Sequence, residues 1–146
     1  MCENQVNDKI EASLVAEDDR LSFLPKHLGE KLMMQFESAV YLWMRSLAPD
    51  YSGGHWNFHE LSNGGFYMAP SKSRNFQMRS PNYAQYEVSM DAAGIIATMF
   101  ALNEIINRIA FDEEQDPPEH LVEGYYFLRD FIVDHPEAAA IFALID

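Results

Sequence analysis

The chain has 146 residues, 48% of them hydrophobic, with ten Phe, seven Tyr and two Trp. That composition suits one packed domain and excludes an intrinsically disordered protein. Its single cysteine, Cys2, excludes an intramolecular disulfide and a multi-cysteine metal site, and 23 acidic against 10 basic residues give a net charge of −13, which opposes direct binding to nucleic acid phosphates.

The charge is unevenly spread. Residues 1–25 carry six acids and two bases, residues 26–89 five and six, and residues 90–146 twelve and two. The nearest thing to a basic patch, Lys72, Arg74 and Arg79, is thin. No cationic stretch followed by an apolar run opens the chain, and charges interrupt its apolar runs short of the ~20 residues a membrane span needs. The expectation is a cytoplasmic protein with no membrane segment.

In chain order, residues 1–19 form an acidic segment expected to be partly disordered, with Val6, Ile10 and Leu14 at a weak helical spacing. Phe23 and Leu24 then anchor the chain, and Pro25 biases Leu24 to an extended conformation. Leu28, Leu32, Phe36, Val40, Trp43 and Leu47 recur at steps of four and three, which predicts a helix with one buried stripe. Ala48-Pro49-Asp50 ends it and Gly53-Gly54 turns the chain.

Residues 55–61 (HWNFHEL) and 66–70 (FYMAP) read as two strands around Ser62-Asn63-Gly64-Gly65. Asn-Gly between such runs signals a hairpin whose two turn positions both take a positive φ. Extended pieces near Asn75–Arg79 and Ala84–Ser89, separated by Pro81, are expected to complete one small antiparallel sheet.

Ile95, Met99, Leu102, Ile106 and Ile109 then predict a helix over 90–110, capped by Ser89 and with Asp91 in its first turn. Residues 112–118 form an exposed acidic connection. Leu121, Tyr125, Leu128 and Ile132 mark a helix over 119–134, and Pro136 suits the first position of a last helix ending near Ile145. The fold class is α+β: residues 20–146 as a single domain, a small antiparallel sheet with a central β-hairpin packed against about four helices.

Candidate chemistry is sparse. His55 and His59, with Glu60 beside them, have the spacing of a helical metal site, but on a strand their rings stand ~13 Å apart; no metal is expected. Trp56 and Phe58 share the other face and read as core. Gly53, Gly54, Gly64 and Gly65 precede neither Lys-Ser/Thr nor a helix start, so they make turns and do not cradle phosphate. Glu60 and Glu87 are carboxylates that a sheet could bring together. No spaced nucleophile–base motif is present, so no catalytic residue and no cofactor are assigned. The acids Asp112, Glu113, Glu114, Asp116, Glu119 and Glu123 could imitate DNA phosphates. They straddle a loop and a helix start, where acids are locally favourable, and residues 26–89 are slightly basic, so a solvated surface is the better reading.

The stretch GG-x-W-x-F-x-ELSNGGFYMAP, residues 53–70, resembles the signature of the ArdB/KlcA family of antirestriction proteins, carried by plasmids and other mobile elements. Further blocks resemble the family in order: Arg20-Leu-Ser-Phe-Leu-Pro25, Val40-Tyr-x-Trp-Met44, Leu47-x-x-Asp-Tyr-x-Gly-Gly54, Asp91-Ala-Ala-Gly-Ile95 and His135-Pro-Glu-Ala138. The resemblance implies relief of type I restriction of incoming unmodified DNA, without the rod-like DNA mimicry of other antirestriction proteins, and it carries over no catalytic residues. The partner it implies is the type I restriction–modification complex or a factor controlling it, met through protein–protein contact. Contact candidates are the hairpin tip, Asn63, Gly64 and Gly65, and groups beside it expected to be exposed: Tyr51, His55, His59 and Tyr67. The bland alternative is that Asn63–Gly65 serve only the turn. An acidic decoy of a nuclease, or an enzyme acting on DNA or on the restriction complex, are the other functional alternatives.

Overall fold

A computed structural model describes residues 9–146. The elements are β1 (Ala12–Leu14), a turn of 3-10 helix (Glu17–Asp19), α1 (Arg20–Leu47), β2 (Trp56–Leu61), β3 (Phe66–Pro70), β4 (Asn75–Arg79), β5 (Gln85–Ser89), α2 (Met90–Asn107), a π-helical turn (Arg108–Asp112), α3 (Glu119–Val133) and α4 (Ala138–Ile145). The α+β class is as expected, with four α-helices among the described residues.

The strands make two sheets and not one. Antiparallel β1-β2-β3 is the first and the β4–β5 hairpin the second. Residues 71–74 separate β3 from β4, and no hydrogen-bonded ladder crosses between them. Glu60 and Glu87 therefore lie in different sheets. Glu60 pairs with Lys26 and His27, and Glu87 accepts from Asn75 and Gln77. Leu14, expected on a helical spacing, sits in β1 opposite His59; Val6 lies outside the described residues.

Helix α1 begins earlier than its apolar stripe suggested. Leu24 is helical despite the proline after it, and the carbonyl that Pro25 leaves unpaired belongs to Leu21, whose side chain is 94% exposed, so water can reach it. A kink at Gly29 (φ 77°, ψ 157°) lets the first segment turn over the sheet, where Phe23 stacks on Phe58 at 4.5 Å and 7°. Beyond the kink Phe36, Val40, Met44 and Leu47 are buried.

Helix α2 is the hub. It touches α1, β3, both strands of the second sheet, α3 and α4. The spacing of Ile95, Met99, Leu102, Ile106 and Ile109, widened by Ile96 and Phe100, marks one side of the helix, but Ala92 to Met99 are buried without interruption, because alanine and glycine let neighbours approach from every side. The helical run Met90–Asp112 is long and apolar enough to cross a membrane, contrary to the reading from charge interruptions. More than half of its apolar window is buried inside the fold, as a core helix requires. Burying each large apolar side chain in this core contributes roughly 1.5–3 kcal/mol.

The closest approach is at Gly94, where a Cβ would stand 2.4 Å from the Ala69 Cα and 2.5 Å from the Met68 carbonyl oxygen. One turn on, Thr98 Oγ1 lies 3.3 Å from both the amide nitrogen and the carbonyl oxygen of Met68, closing the outer edge of β3. The last helix starts at Ala138 and not at Pro136, because residues 134–137 are taken up by a turn in which His135 binds the Glu137 amide.

Candidate functional site

The β2–β3 hairpin carries most of the contact candidates. Leu61 N–H donates to Gly65 O (2.9 Å) and Gly64 N–H donates to Leu61 O (3.0 Å), so the loop has three residues with Gly64 alone at positive φ (97°). A two-residue turn with both positions at positive φ was expected. The difference lies in the Asn63 side chain, whose Oδ1 accepts from Gly65 N–H (3.0 Å) while its Nδ2 donates to the Phe127 carbonyl on α3 (3.0 Å). Gly65 is packed under the Phe127 side chain, where a Cβ would come within 2.8 Å. The tip is thus docked on α3.

Of the contact candidates, Gly64 and His55 are exposed, and Tyr51, His59 and Asn63 are half-buried. Gly65 and Tyr67 are buried, so the expectation that Tyr67 is an exposed group is overturned: it is 1% accessible. It points from β3 toward α2 and α3, stacking on Phe131 at 5.8 Å and under the His59 ring at 4.6 Å and 14°. Tyr51 accepts from Trp56 Nε1 at 2.9 Å. The expected core role of Trp56 and Phe58 holds, at 2% and 6% exposed. Of the basic trio, Arg74 is paired with Asp50 at 2.9 Å and lies over Phe76.

Tyr67 leads into a polar cluster at the N-terminus of α2. Its hydroxyl donates to Asp91 Oδ1 at 2.6 Å, and His135 lies with Nε2 2.9 Å from Asp91 Oδ2. The Glu137 N–H donates to His135 Nδ1 at 2.9 Å. A backbone amide can only donate, so Nδ1 is the acceptor and Nε2 carries the proton given to Asp91. Ser89 caps α2 as expected, accepting from the Ala92 N–H at 3.1 Å, and its hydroxyl and amide both donate to the Glu137 carboxylate.

The electrostatics arise from this geometry. Burial pushes the Asp91 carboxyl up, but hydrogen bonds from His135 and Tyr67 outweigh it and hold the group below the usual aspartate value. Burial, then the Asp91 charge, raises the Tyr67 hydroxyl far above the usual tyrosine range. Burial lowers His59, opposed by Asp91. On the other face of the sheet burial likewise lowers His27, opposed by its bond to Glu60 (2.8 Å). Among the described residues no group of three His, Cys, Asp or Glu side chains could hold a metal.

Sequence reading missed this cluster. Asp91 was legible as a helix-dipole residue and Pro136, next to His135, as a helix start, but the meeting of Asp91 and His135 depends on packing across 44 residues. The available signal was that both stand in blocks of the family resemblance. Three of those blocks meet here, since Tyr67, Asp91, His135 and Glu137 share one network, while others meet on the opposite face of the sheet, where Arg20 lies over the Phe58 ring and Tyr41 meets Trp56 edge-on.

The fold and this convergence define a small α+β protein of the antirestriction class. The chain belongs to the antirestriction protein family, whose model matches residues 49–146. It is 44% identical to the antirestriction protein KlcA of Escherichia coli over 144 residues, covering 98% of this chain and 99% of that one. The putative antirestriction protein YubI of Escherichia coli (strain K12) is 37% identical, with 90% and 93% covered. A solved structure from work on KlcA and ArdB superimposes with a TM-score of 0.86 at 46% identity, covering 95% of this chain and 96% of that one. Those proteins are described as having a novel fold and antirestriction activity against type I DNA restriction systems in vivo but not in vitro.

Proposed function

We propose that this chain relieves type I restriction of incoming unmodified DNA, acting in the cytoplasm by protein–protein contact with the restriction complex or with a factor controlling it, and without catalysis. The observation that carries the reading is the match, over nearly the whole chain, to KlcA and to a structure of the KlcA/ArdB type with that activity.

The non-catalytic part rests on the polar cluster. It holds an aspartate, a histidine and a serine, yet both His135 nitrogens, both Asp91 oxygens and the Ser89 hydroxyl are engaged within the fold. His135 donates to Asp91 and has no nitrogen left to take a proton from a nucleophile. Such a cluster braces the junction of β3, α2 and the α3–α4 turn. The activity of KlcA and ArdB in vivo but not in vitro favours a cellular factor over a decoy, because a decoy occupying a nuclease's DNA site works without other cell components. The net charge of −13 and the pairing of Arg74 with Asp50 speak against direct nucleic acid binding.

The test is an Asp91→Asn, His135→Gln double variant, with antirestriction in cells and folded protein measured side by side. Activity should track the amount of folded protein. A fully folded, normally abundant variant that has lost all activity would point to chemistry at the cluster instead.

A further inference from the structure

The two edges of the first sheet are treated differently. At β3, α2 lies against the edge and Thr98 pairs with both outward groups of Met68. At β1 nothing comparable is present among the described residues. The ladder to β2 runs through Glu11, Ser13 and Val15: Ser62 N–H donates to Glu11 O and Val15 N–H to Phe58 O, both at 2.9 Å. Alternation along an antiparallel pair then turns the N–H and C=O of Ala12 and Leu14 outward. The strand holds no proline and no charged residue, and all three of its residues are exposed, Leu14 by 62%.

Beside this edge runs a groove of about 460 Å³ between residues 13–16 and the face carrying Asp19, Ser22 and Lys26, with Phe23 in its lining. Its surroundings are acidic. On balance Glu11, Glu17, Asp18 and Asp19, which form no ion pair among the described residues, outnumber Lys9 and Arg20, and the groove's own Lys26 is paired with its Glu60 at 3.1 Å. Like charge and the overall −13 disfavour a second copy in this place.

We infer that the β1 edge and its groove receive an extended, basic segment of another protein, added as a fourth strand. Backbone hydrogen bonds to Ala12 and Leu14 supply the register, the acidic rim selects the charge, and an apolar side chain of the segment enters the groove toward Phe23. The inference rests on the proposed action by protein–protein contact and deepens it, but the binding itself is measurable without any restriction system.

The experiment uses the full purified chain and three fluorescent octapeptides: alternating lysine and valine, the same with glutamate for lysine, and the basic one with every backbone amide N-methylated. The basic peptide is expected to bind at least about tenfold more tightly than either other, because methylation removes its donors and glutamate reverses its charge. Leu14→Pro is expected to weaken binding by about tenfold, since it deletes an outward N–H that the β2 ladder does not use. Equal binding of the methylated peptide, no binding of any peptide, or unchanged affinity in folded Leu14→Pro overturns the inference. So does a dimer that Leu14→Pro dissolves, which would make a second copy the occupant. If Leu14→Pro does not fold, the methylated and unmethylated peptides decide alone.

Discussion

His135 donates its Nε2 proton to Asp91 at 2.9 Å, joining the α3–α4 turn to the first turn of α2. With Tyr67 on the other carboxylate oxygen, the bond ties three parts of the chain that lie far apart in sequence. The His135 side chain is 6% exposed and that of Asp91 38%, so burial protects the histidine end of the bond while water competes at the carboxylate. Asp91→Ala and His135→Ala should each cost about 1 kcal/mol in urea unfolding, below a fully buried pair because the carboxylate is partly exposed. The double variant should cost clearly less than the sum, because each single change already leaves the same bond unmade. Strict additivity would mean that the two side chains are not coupled.

The packing of α2 on β3 depends on Gly94. Gly94→Ala places a methyl group against backbone atoms of Met68 and Ala69 that cannot rotate away. The expected loss is about 3 kcal/mol or more, at the upper end of overpacking effects, read as a drop in the unfolding midpoint. A near-neutral substitution would show that α2 can slide along the edge of β3.

The β4–β5 hairpin repeats the loop geometry of the β2–β3 hairpin with a different residue at the strained position. Tyr83 N–H donates to Ser80 O and Ser80 N–H to Ala84 O, and Tyr83 has φ 73° where the other hairpin has Gly64. Its side chain is 87% exposed, so little packing is lost when it is removed. Tyr83→Gly should stabilise the protein by about 1 kcal/mol, a rise of about 3 °C in Tm. A fall in Tm would mean that the tyrosine ring makes a stabilising contact.

Acid sensitivity should begin with histidines. His27 and His59 both have lowered values in the fold, so the folded state favours their neutral forms. Their contribution is complete above the unfolded histidine value of about 6.5 and is lost as pH falls from there through the lowered folded values. Asp91, also lowered, keeps its contribution above the ordinary aspartate value of about 3.9 and loses it below. Unfolding free energy measured from pH 8 to pH 4 should therefore decline below about pH 6.5, and His27→Gln with His59→Gln should flatten that decline. An unchanged slope in the double variant would assign the decline elsewhere.

Local signals in the sequence located most elements. The strands at 56–61, 66–70 and 75–79 and the helix over 119–133 lie close to where apolar spacing and turn residues put them. What local signals could not carry were facts decided by distant partners. Asn63 makes a different loop because it can reach the Phe127 carbonyl, Leu14 is a strand residue because β2 offers an edge, and α2 is buried all round because Gly94 and its alanines meet neighbours from the whole chain. Tyr67 was read as exposed because alternation along β3 says which residues share a face, not that both faces are covered. The resemblance named the family, while the Asp91–His135 bond became visible only when two of its blocks met.

The most direct measurement is the plating efficiency of unmodified phage on cells with an active type I system, with and without this protein, while restriction-subunit levels are monitored. Relief by contact predicts a rise of orders of magnitude at normal subunit abundance. No rise, from folded and well-expressed protein, would contradict it.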